Sequence, residues 1–192
     1  MVRYQIIDNF LTVDECLQLI EVARPKLEKS GSWSLETAST QYSDYRISEH
    51  TYFYTGENDL VRTIESRIEQ LSGLPASHGE GIQILRYGVG GHYKVHCDWF
   101  DPRYPGNEPV LKVGGQRAAT VLMYLNNVPV GGDTYFPKIN LRVKPKMGTA
   151  LFWWNVDEHG TADVMTLHAG EDVIEGEKWI ATKWLRERPY LQ

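Results

Sequence analysis

The residues best able to do chemistry are crowded into "HYKVHCDWFDP", residues 92–102, which holds two histidines, a cysteine and two aspartates among aromatics. If "YKVHCDWF" is a strand, successive side chains alternate faces. His96 and Asp98 then point one way and Cys97 the other. An imidazole and a carboxylate two residues apart can occupy adjacent positions on one metal ion. A third ligand has to come from elsewhere. His50, His78, His92 and His159 fall in loops or at element edges, whereas His168, in "VMTLHAG", ends an apolar strand. Two histidines and one carboxylate on one face leave positions open on the metal and suit Fe(II), with Zn²⁺ and Mn²⁺ as other occupants. His-x-Asp by itself is a weak signal, since a local hydrogen bond can also satisfy a strand histidine.

The residues after His168 strengthen the case. Lys178 opens "KWIATKW", on which Lys178, Ile180, Thr182 and Trp184 share a face. A hairpin between His168 and this strand would aim both His168 and Lys178 into the interior. A buried lysine is unfavourable unless paired. An anionic cosubstrate is the natural partner, and a dicarboxylate could bind the metal with one end and Lys178 with the other. A triad with open positions is the arrangement of non-haem Fe(II) oxygenases.

Helices and strands must position these groups. "YQIID" reads as a short strand. Thr12 and Glu15 are spaced as a capping box for a helix carrying Cys16, Leu17, Ile20 and Ala23, which Pro25 ends or kinks. Residues 30–45 read as loop and "HTYFYTG" as strand. A second helix is capped by Asn58, carries the stripe Leu60, Ile64, Ile68 and Leu71, and stops at Gly73. After residue 80 come short strand-like pieces separated by Gly, Pro and Asn: "IQILRY", "ATVLMYLNN", "DTYFP", "NLRVKP", "TALFWWN", "KWIATKWLRE". The fold class is mainly β with flanking N-terminal helices (α+β), its short antiparallel strands forming a sandwich or jelly roll. The Pro- and Gly-rich stretch "DPRYPGNEPVLKVGGQ" is a lid or a binding loop, expected to be mobile until substrate arrives. Trp153 and Trp154 must face opposite ways. Cys97 reads as packing and His92 as a turn residue. No linker or repeat interrupts residues 1–192, so one domain is expected, with a helical N-terminal segment (residues 1–80) packing on a jelly-roll core (residues 81–188).

The formal net charge of −5 gives no attraction to nucleic acid or anionic lipid. No apolar run approaches the roughly 20 residues of a membrane span. "MVRYQIIDNF" does not read as a signal peptide, and two cysteines are too few for a disulfide scaffold, so a cytoplasmic setting is expected. The sequence does not indicate an oligomeric state.

"LRYGVGGHYKVHCDWF", "GGQRAATVLMYLNNVPVGGDTYF", "VKPKMGTALFWWN" and "LHAGEDVIEGEKWIATKW" resemble the prolyl 4-hydroxylases of the collagen type, Fe(II)- and 2-oxoglutarate-dependent dioxygenases with a double-stranded β-helix fold. The resemblance spans roughly 82–188, with "YRISEHTYF" a weaker match before it. It implies that His96, Asp98 and His168 bind Fe(II), and that Lys178 binds the distal carboxylate of 2-oxoglutarate. Tyr87, Thr134 and Tyr124 would complete the cosubstrate pocket. Tyr93, Arg117 and Trp184 would lie near the substrate proline, the aromatics walling its ring and the arginine bonding a peptide carbonyl. O₂ is the second cosubstrate, ascorbate the implied reductant, and a proline-containing peptide or protein the implied partner. The chain departs from the family pattern at Cys97, where an aromatic is common, at Arg186, where histidine is common, and in a longer loop between Asp98 and Arg117. Hydroxylation of a small molecule or free amino acid is the alternative activity. A non-catalytic jelly-roll binding module is the alternative class.

Overall fold

Two helices form for local reasons. In α1 (Val13–Ala23) the Glu15 amide donates to Thr12 Oγ1 at 3.2 Å and the Thr12 amide to Glu15 Oε2 at 2.8 Å, closing the capping box. Pro25 then turns the chain into a single 3₁₀ turn. In α2 (Asp59–Ser72) Asn58 Oδ1 accepts from the Val61 amide at 2.9 Å, and Gly73 ends the helix at φ 74°. The buried stripe of α1 is Cys16, Leu19 and Ala23. Leu17, expected in that stripe, is exposed, because it lies about 100° around the helix from Cys16.

The computed structural model describes residues 2–34, 39–41 and 44–190. Its strands are β1 (Tyr4–Ile7), β2 (Glu28–Lys29), β3 (Ser32–Ser34), β4 (Ser39–Gln41), β5 (Arg46–Ile47), β6 (Glu49–Phe53), β7 (Ile82–Tyr87), β8 (His92–His96), β9 (Arg117–Tyr124), β10 (Val130–Gly131), β11 (Thr134–Phe136), β12 (Leu141–Val143), β13 (Ala150–Trp154), β14 (His168–Gly170), β15 (Val173–Glu175) and β16 (Lys178–Arg186), with a short helix α3 (Glu108–Lys112) between β8 and β9. A large sheet has the order β1-β13-β9-β16-β7-β6-β2 and a smaller one β12-β11-β14-β8-β5. Within both, neighbouring strands run antiparallel. This is a jelly roll, one of the two architectures that the strand spacing allows and the one that the resemblance implies. Of the stretch 30–45, read as loop, residues 35–38 and 42–43 lie outside the described residues, and the rest includes the β3–β4 hairpin. No helix among the described residues is long and apolar enough to cross a membrane.

The large sheet has two different faces. Ile82, Ile84, Ala119, Val121, Met123, Ala150, Phe152, Trp179, Ala181 and Leu185 turn outward into one apolar cluster with Leu19, Ala23, Val61, Ile64 and Ile68 of the helices. Leu85, Tyr87, Leu122, Tyr124, Leu151, Trp153 and Ile180 turn inward and join Phe136 and Val143 of the smaller sheet. Register arranges the inward residues in cross-strand rows: Trp153–Thr120–Trp184, then Leu151–Leu122–Thr182–Gln83, then Tyr124–Ile180–Leu85, then Lys178–Tyr87.

One charge sits on the helical face of β16. Lys183 is 1% exposed and pairs with Glu65 of α2, itself 4% exposed. Burial lowers the lysine's pKa, and Glu65 opposes that shift. Removing one partner of a buried pair leaves the other uncompensated, at about 3–5 kcal/mol. Lys183→Met should therefore lower the unfolding free energy in urea by about that amount, and adding Glu65→Leu should recover most of the loss. Equal stability of the wild type and Lys183→Met would contradict this.

Candidate active site

Strand pairing brings the candidate metal ligands together. His96 is the last residue of β8 and His168 the first of β14, and the two are partners in register. Their ring centroids are 4.3 Å apart. Both positions differ in detail from the sequence reading. β8 stops at His96, so Asp98 follows in a bend and not on the strand. His168 begins its strand after a 3₁₀ turn at Val164–Thr166 instead of ending one. Nor do His168 and Lys178 share a hairpin. β14 belongs to the smaller sheet and β16 to the larger, so the two residues face each other across the roll.

The donor set fits a metal ion. Asp98 Oδ1 lies 3.8 Å from Nε2 of His96 and 3.8 Å from Nε2 of His168. All three ligand atoms fall within 4.8 Å of one another. His96 Nδ1 is 2.7 Å from the Lys94 carbonyl and His168 Nδ1 is 2.9 Å from the Thr166 carbonyl. A carbonyl only accepts, so each Nδ1 carries the hydrogen and each Nε2 is left as a bare lone pair aimed at the shared space. Burial, with His168 adding to it against the opposing effect of Asp98, pushes the His96 pKa down to about 3. His96 is thus a neutral ligand at physiological pH. Asp98 is 6% exposed and accepts at Oδ2 from the Thr120 hydroxyl.

The other metal-capable groups are occupied elsewhere. His50 meets Ser30, and His78 the Arg186 carbonyl. His92 lies against Gly90, Asp44 and Asp172, while His159 is exposed beside Glu158. The Cys97 thiol contacts the Trp99 carbonyl, and burial pushes its pKa up to about 11.

One cavity is lined by the triad and by Tyr87, Tyr93, Thr134, Lys178 and Trp184. Lys178 is 2% exposed, and its Nζ lies 5.5 Å from the Tyr87 ring and 5.9 Å from the Tyr124 ring. No ion pair with a described residue fixes it. Burial lowers its pKa to about 8, opposed only by Asp133. Tyr93 stacks on His96 with centroids 3.5 Å apart.

Two of the ten predicted site residues stand one layer behind the cavity. Tyr124 donates its hydroxyl to Thr134 Oγ1 at 2.8 Å, which leaves the Thr134 hydrogen for an acceptor in the cavity. Arg117 is bound to Glu80 through Nε and Nη2 at 2.7 and 2.8 Å. Its guanidinium lies 3.8 Å from the Trp184 ring and 4.8 Å from that of Phe100. Burial alone would raise the Glu80 pKa, but Arg117 and Arg186 hold it below the usual carboxylate range.

Sequence reasoning missed Arg46 and Glu80. Arg46 also lines the cavity, 4.7 Å from the Tyr93 ring, with Nη2 3.4 Å from Gln83 Oε1. Its one sequence signal was the weak match at "YRISEHTYF". Glu80 had none.

Residues 82–186 match the family model described as the 2OG-Fe(II) oxygenase superfamily. The chain belongs to that superfamily. It is 41% identical to probable prolyl 4-hydroxylase 10 of Arabidopsis thaliana over 98% of its own length and 70% of that protein's. Prolyl 4-hydroxylase 5 of the same plant is 37% identical over 95% of this chain and 67% of its own. Among solved structures, the viral collagen prolyl hydroxylase of Paramecium bursaria Chlorella virus-1, in its 2OG complex, superposes with a TM-score of 0.74 at 33% identity, covering 95% of each chain. For this oxygenase, Fe(II), 2-oxoglutarate and O₂ are the family's metal and cosubstrates.

The loop between Asp98 and Arg117 is tied to its surroundings at several points. Gln116 and Phe100 exchange two hydrogen bonds of 2.7 Å across its base. Arg186, 0% exposed, donates through Nη2 to the carbonyls of Val110 and Val113, both at 2.5 Å, and through Nη1 to Glu80 at 3.1 Å. Gly114 suits this point because it adopts φ +77°, and a Cβ would also crowd Tyr190 at 3.0 Å and Arg186 at 3.2 Å. Hydrogen bonds to a charged group contribute about 1.5–3 kcal/mol each. Arg186→Ala should therefore speed amide hydrogen exchange across residues 105–113 by about tenfold or more. Unchanged exchange would show that the loop holds itself.

Proposed function

We propose that this oxygenase hydroxylates prolyl residues in a peptide or protein, with His96, Asp98 and His168 holding Fe(II) and Lys178 holding 2-oxoglutarate. The observation that carries the reading is the buried, unpaired Lys178 ammonium lining the same cavity as three convergent metal-ligand atoms. A dicarboxylate that reaches both would supply the counter-charge the lysine lacks. Bound Fe(II), with 2-oxoglutarate and O₂, supplies the oxidising power to place a hydroxyl on an unactivated carbon, and ascorbate would serve as the external reductant.

The chain's own residues divide the cavity. Lys178 and Trp184 lie on the same face of β16 and six residues apart, roughly 20 Å along a strand. Cosubstrate and substrate therefore bind at opposite ends, with the triad on the facing sheet. At the Lys178 end, Thr134 offers its hydroxyl hydrogen and Tyr87 an aromatic face. At the other end, Trp184 and Tyr93 offer flat apolar walls suited to a pyrrolidine ring. The Trp184 Nε1 hydrogen is buried without a partner among the described residues. Arg117 braces the Trp184 ring from behind. The named activity of the plant and viral relatives favours a prolyl substrate over other C–H bonds.

Incubating proline-rich peptides with the enzyme, Fe(II), 2-oxoglutarate and O₂ should add a single oxygen, seen by mass spectrometry. Modification of a free amino acid or small molecule, with none of peptides, would establish the alternative activity. Trp184→Ala should lose peptide hydroxylation and keep uncoupled 2-oxoglutarate decarboxylation. If both fall together, the indole serves the cosubstrate end.

Lys178 makes a second prediction. Losing one partner of a buried charge pair costs about 2–5 kcal/mol, so Lys178→Ala should weaken 2-oxoglutarate binding by about one and a half to three and a half decades. In the wild type, before the dianion binds, the lysine is cationic below its pKa of about 8 and neutral above it. Affinity should be full below that value and fall as pH rises through it, towards tenfold per pH unit. Isothermal titration against pH checks this, and Lys178→Ala should lack the basic limb.

A further inference from the structure

Thr120, Asn155 and Trp153 are each 0% exposed, and none of their polar atoms has a task in binding cosubstrate or substrate. Thr120 sits in register between Trp153 and Trp184 on the inner face of the large sheet. It is part of a line of three hydrogen bonds. Trp153 Nε1 is 2.8 Å from Asn155 Oδ1, Asn155 Nδ2 is 2.8 Å from Thr120 Oγ1, and Thr120 Oγ1 is 2.7 Å from Asp98 Oδ2.

The chemistry of the donors gives the line one direction. An indole N–H can only donate, so the Asn155 carbonyl oxygen must face Trp153. The Asn155 amide nitrogen must then face Thr120 and donate to it. The Thr120 hydroxyl, having accepted from Asn155, has its single hydrogen left for Asp98, whose carboxylate can only accept. No alternative orientation satisfies all the buried groups. Trp153 has a second hold on the site, since its ring meets the His168 ring at 4.9 Å and 68°.

We propose that Thr120, Asn155 and Trp153 are positioning residues, a one-way relay that holds Asp98 Oδ2 and presents Oδ1 to the metal. This rests on the triad being the metal site. A carboxylate free to rotate could bind through both oxygens and take a position that the cosubstrate needs. With Oδ2 tied back, Asp98 stays a one-oxygen ligand and the remaining positions stay open. Groups that orient metal ligands this way typically change affinity by about 10–100-fold when removed.

Mn(II) titration of the metal-free protein, followed by electron paramagnetic resonance, tests the relay without turnover. Thr120→Val should weaken Mn(II) binding by about 10–100-fold, while Thr120→Ser, which keeps the hydroxyl, should bind like wild type. Trp153→Phe keeps a ring against His168 but frees the Asn155 amide to turn, so it should lose a smaller factor. The double variant should be no weaker than Thr120→Val alone, because a relay cut at its last link cannot be cut again. Losses that add would mean the residues act separately and would overturn the relay. So would wild-type affinity in Thr120→Val where Asp98→Asn has lost Mn(II). Should Thr120→Val not fold, Trp153→Phe decides: weaker binding supports the relay and unchanged binding removes it. Wild-type affinity in Asp98→Asn itself would instead overturn the metal site.

Discussion

Side chains on a strand alternate, and in the large sheet that period of two separates stability from chemistry. On β16 the residues Trp179, Ala181 and Leu185 bury themselves against the helices, and the residues between them, Lys178, Ile180, Thr182 and Trp184, line the cavity. The same division runs through β7, β9 and β13. The outward core contributes the burial that holds the sheet in shape, so the inward face can carry groups that destabilise a folded protein. A one-residue slip of β16 would exchange the two sets and remove both core and site together.

The inward face contains charges that are unfavourable in isolation. An unpaired ammonium, a carboxylate and two imidazoles share a space between two sheets, where each interaction is stronger than in water. Burial pushes the His96 pKa down, so that imidazole avoids the cost by staying neutral, and backbone carbonyls hold the Nδ1 hydrogens of both rings. Asp98 is stabilised by Thr120 and by the positive charge of Arg117. Lys178 has only two aromatic faces and a distant aspartate, and it is the group that a bound dianion would most stabilise. The cavity is thus electrostatically prepared for a metal and an anion, and the energy to hold it so comes from packing elsewhere.

Around the Trp184 end, one carboxylate organises two guanidiniums. Glu80 receives Arg117, which braces Trp184, and Arg186, which ties down the long loop. Arginine suits this because its planar fork can meet a carboxylate and two carbonyls at once. The consequence is a wall tied to β16 through one buried guanidinium.

Much of this was legible in the sequence, for reasons of short range. Capping by Thr12 and Asn58, the stop at Gly73, the alternation of β16, and the His-x-Asp spacing are all properties of a few neighbouring residues. The alternation of "KWIATKW" and the apolar setting of "VMTLHAG" pointed to Lys178 and His168, and the similarity motifs added Tyr87, Tyr124 and Thr134. What remained hidden depends on partners far apart in sequence. Nothing near residue 80 reveals that Glu80 meets Arg117 and Arg186, nor does "TALFWWN" reveal that Trp153 reaches Asp98 through Asn155 and Thr120. The end of β8 at His96 and the placement of His168 opposite it were decided by sheet register. Whether Arg117 and Tyr124 touched the cavity or stood behind it was decided by which layer each side chain entered. Local patterns specify which residues share a face, but only the pairing of strands from distant segments determines which faces meet.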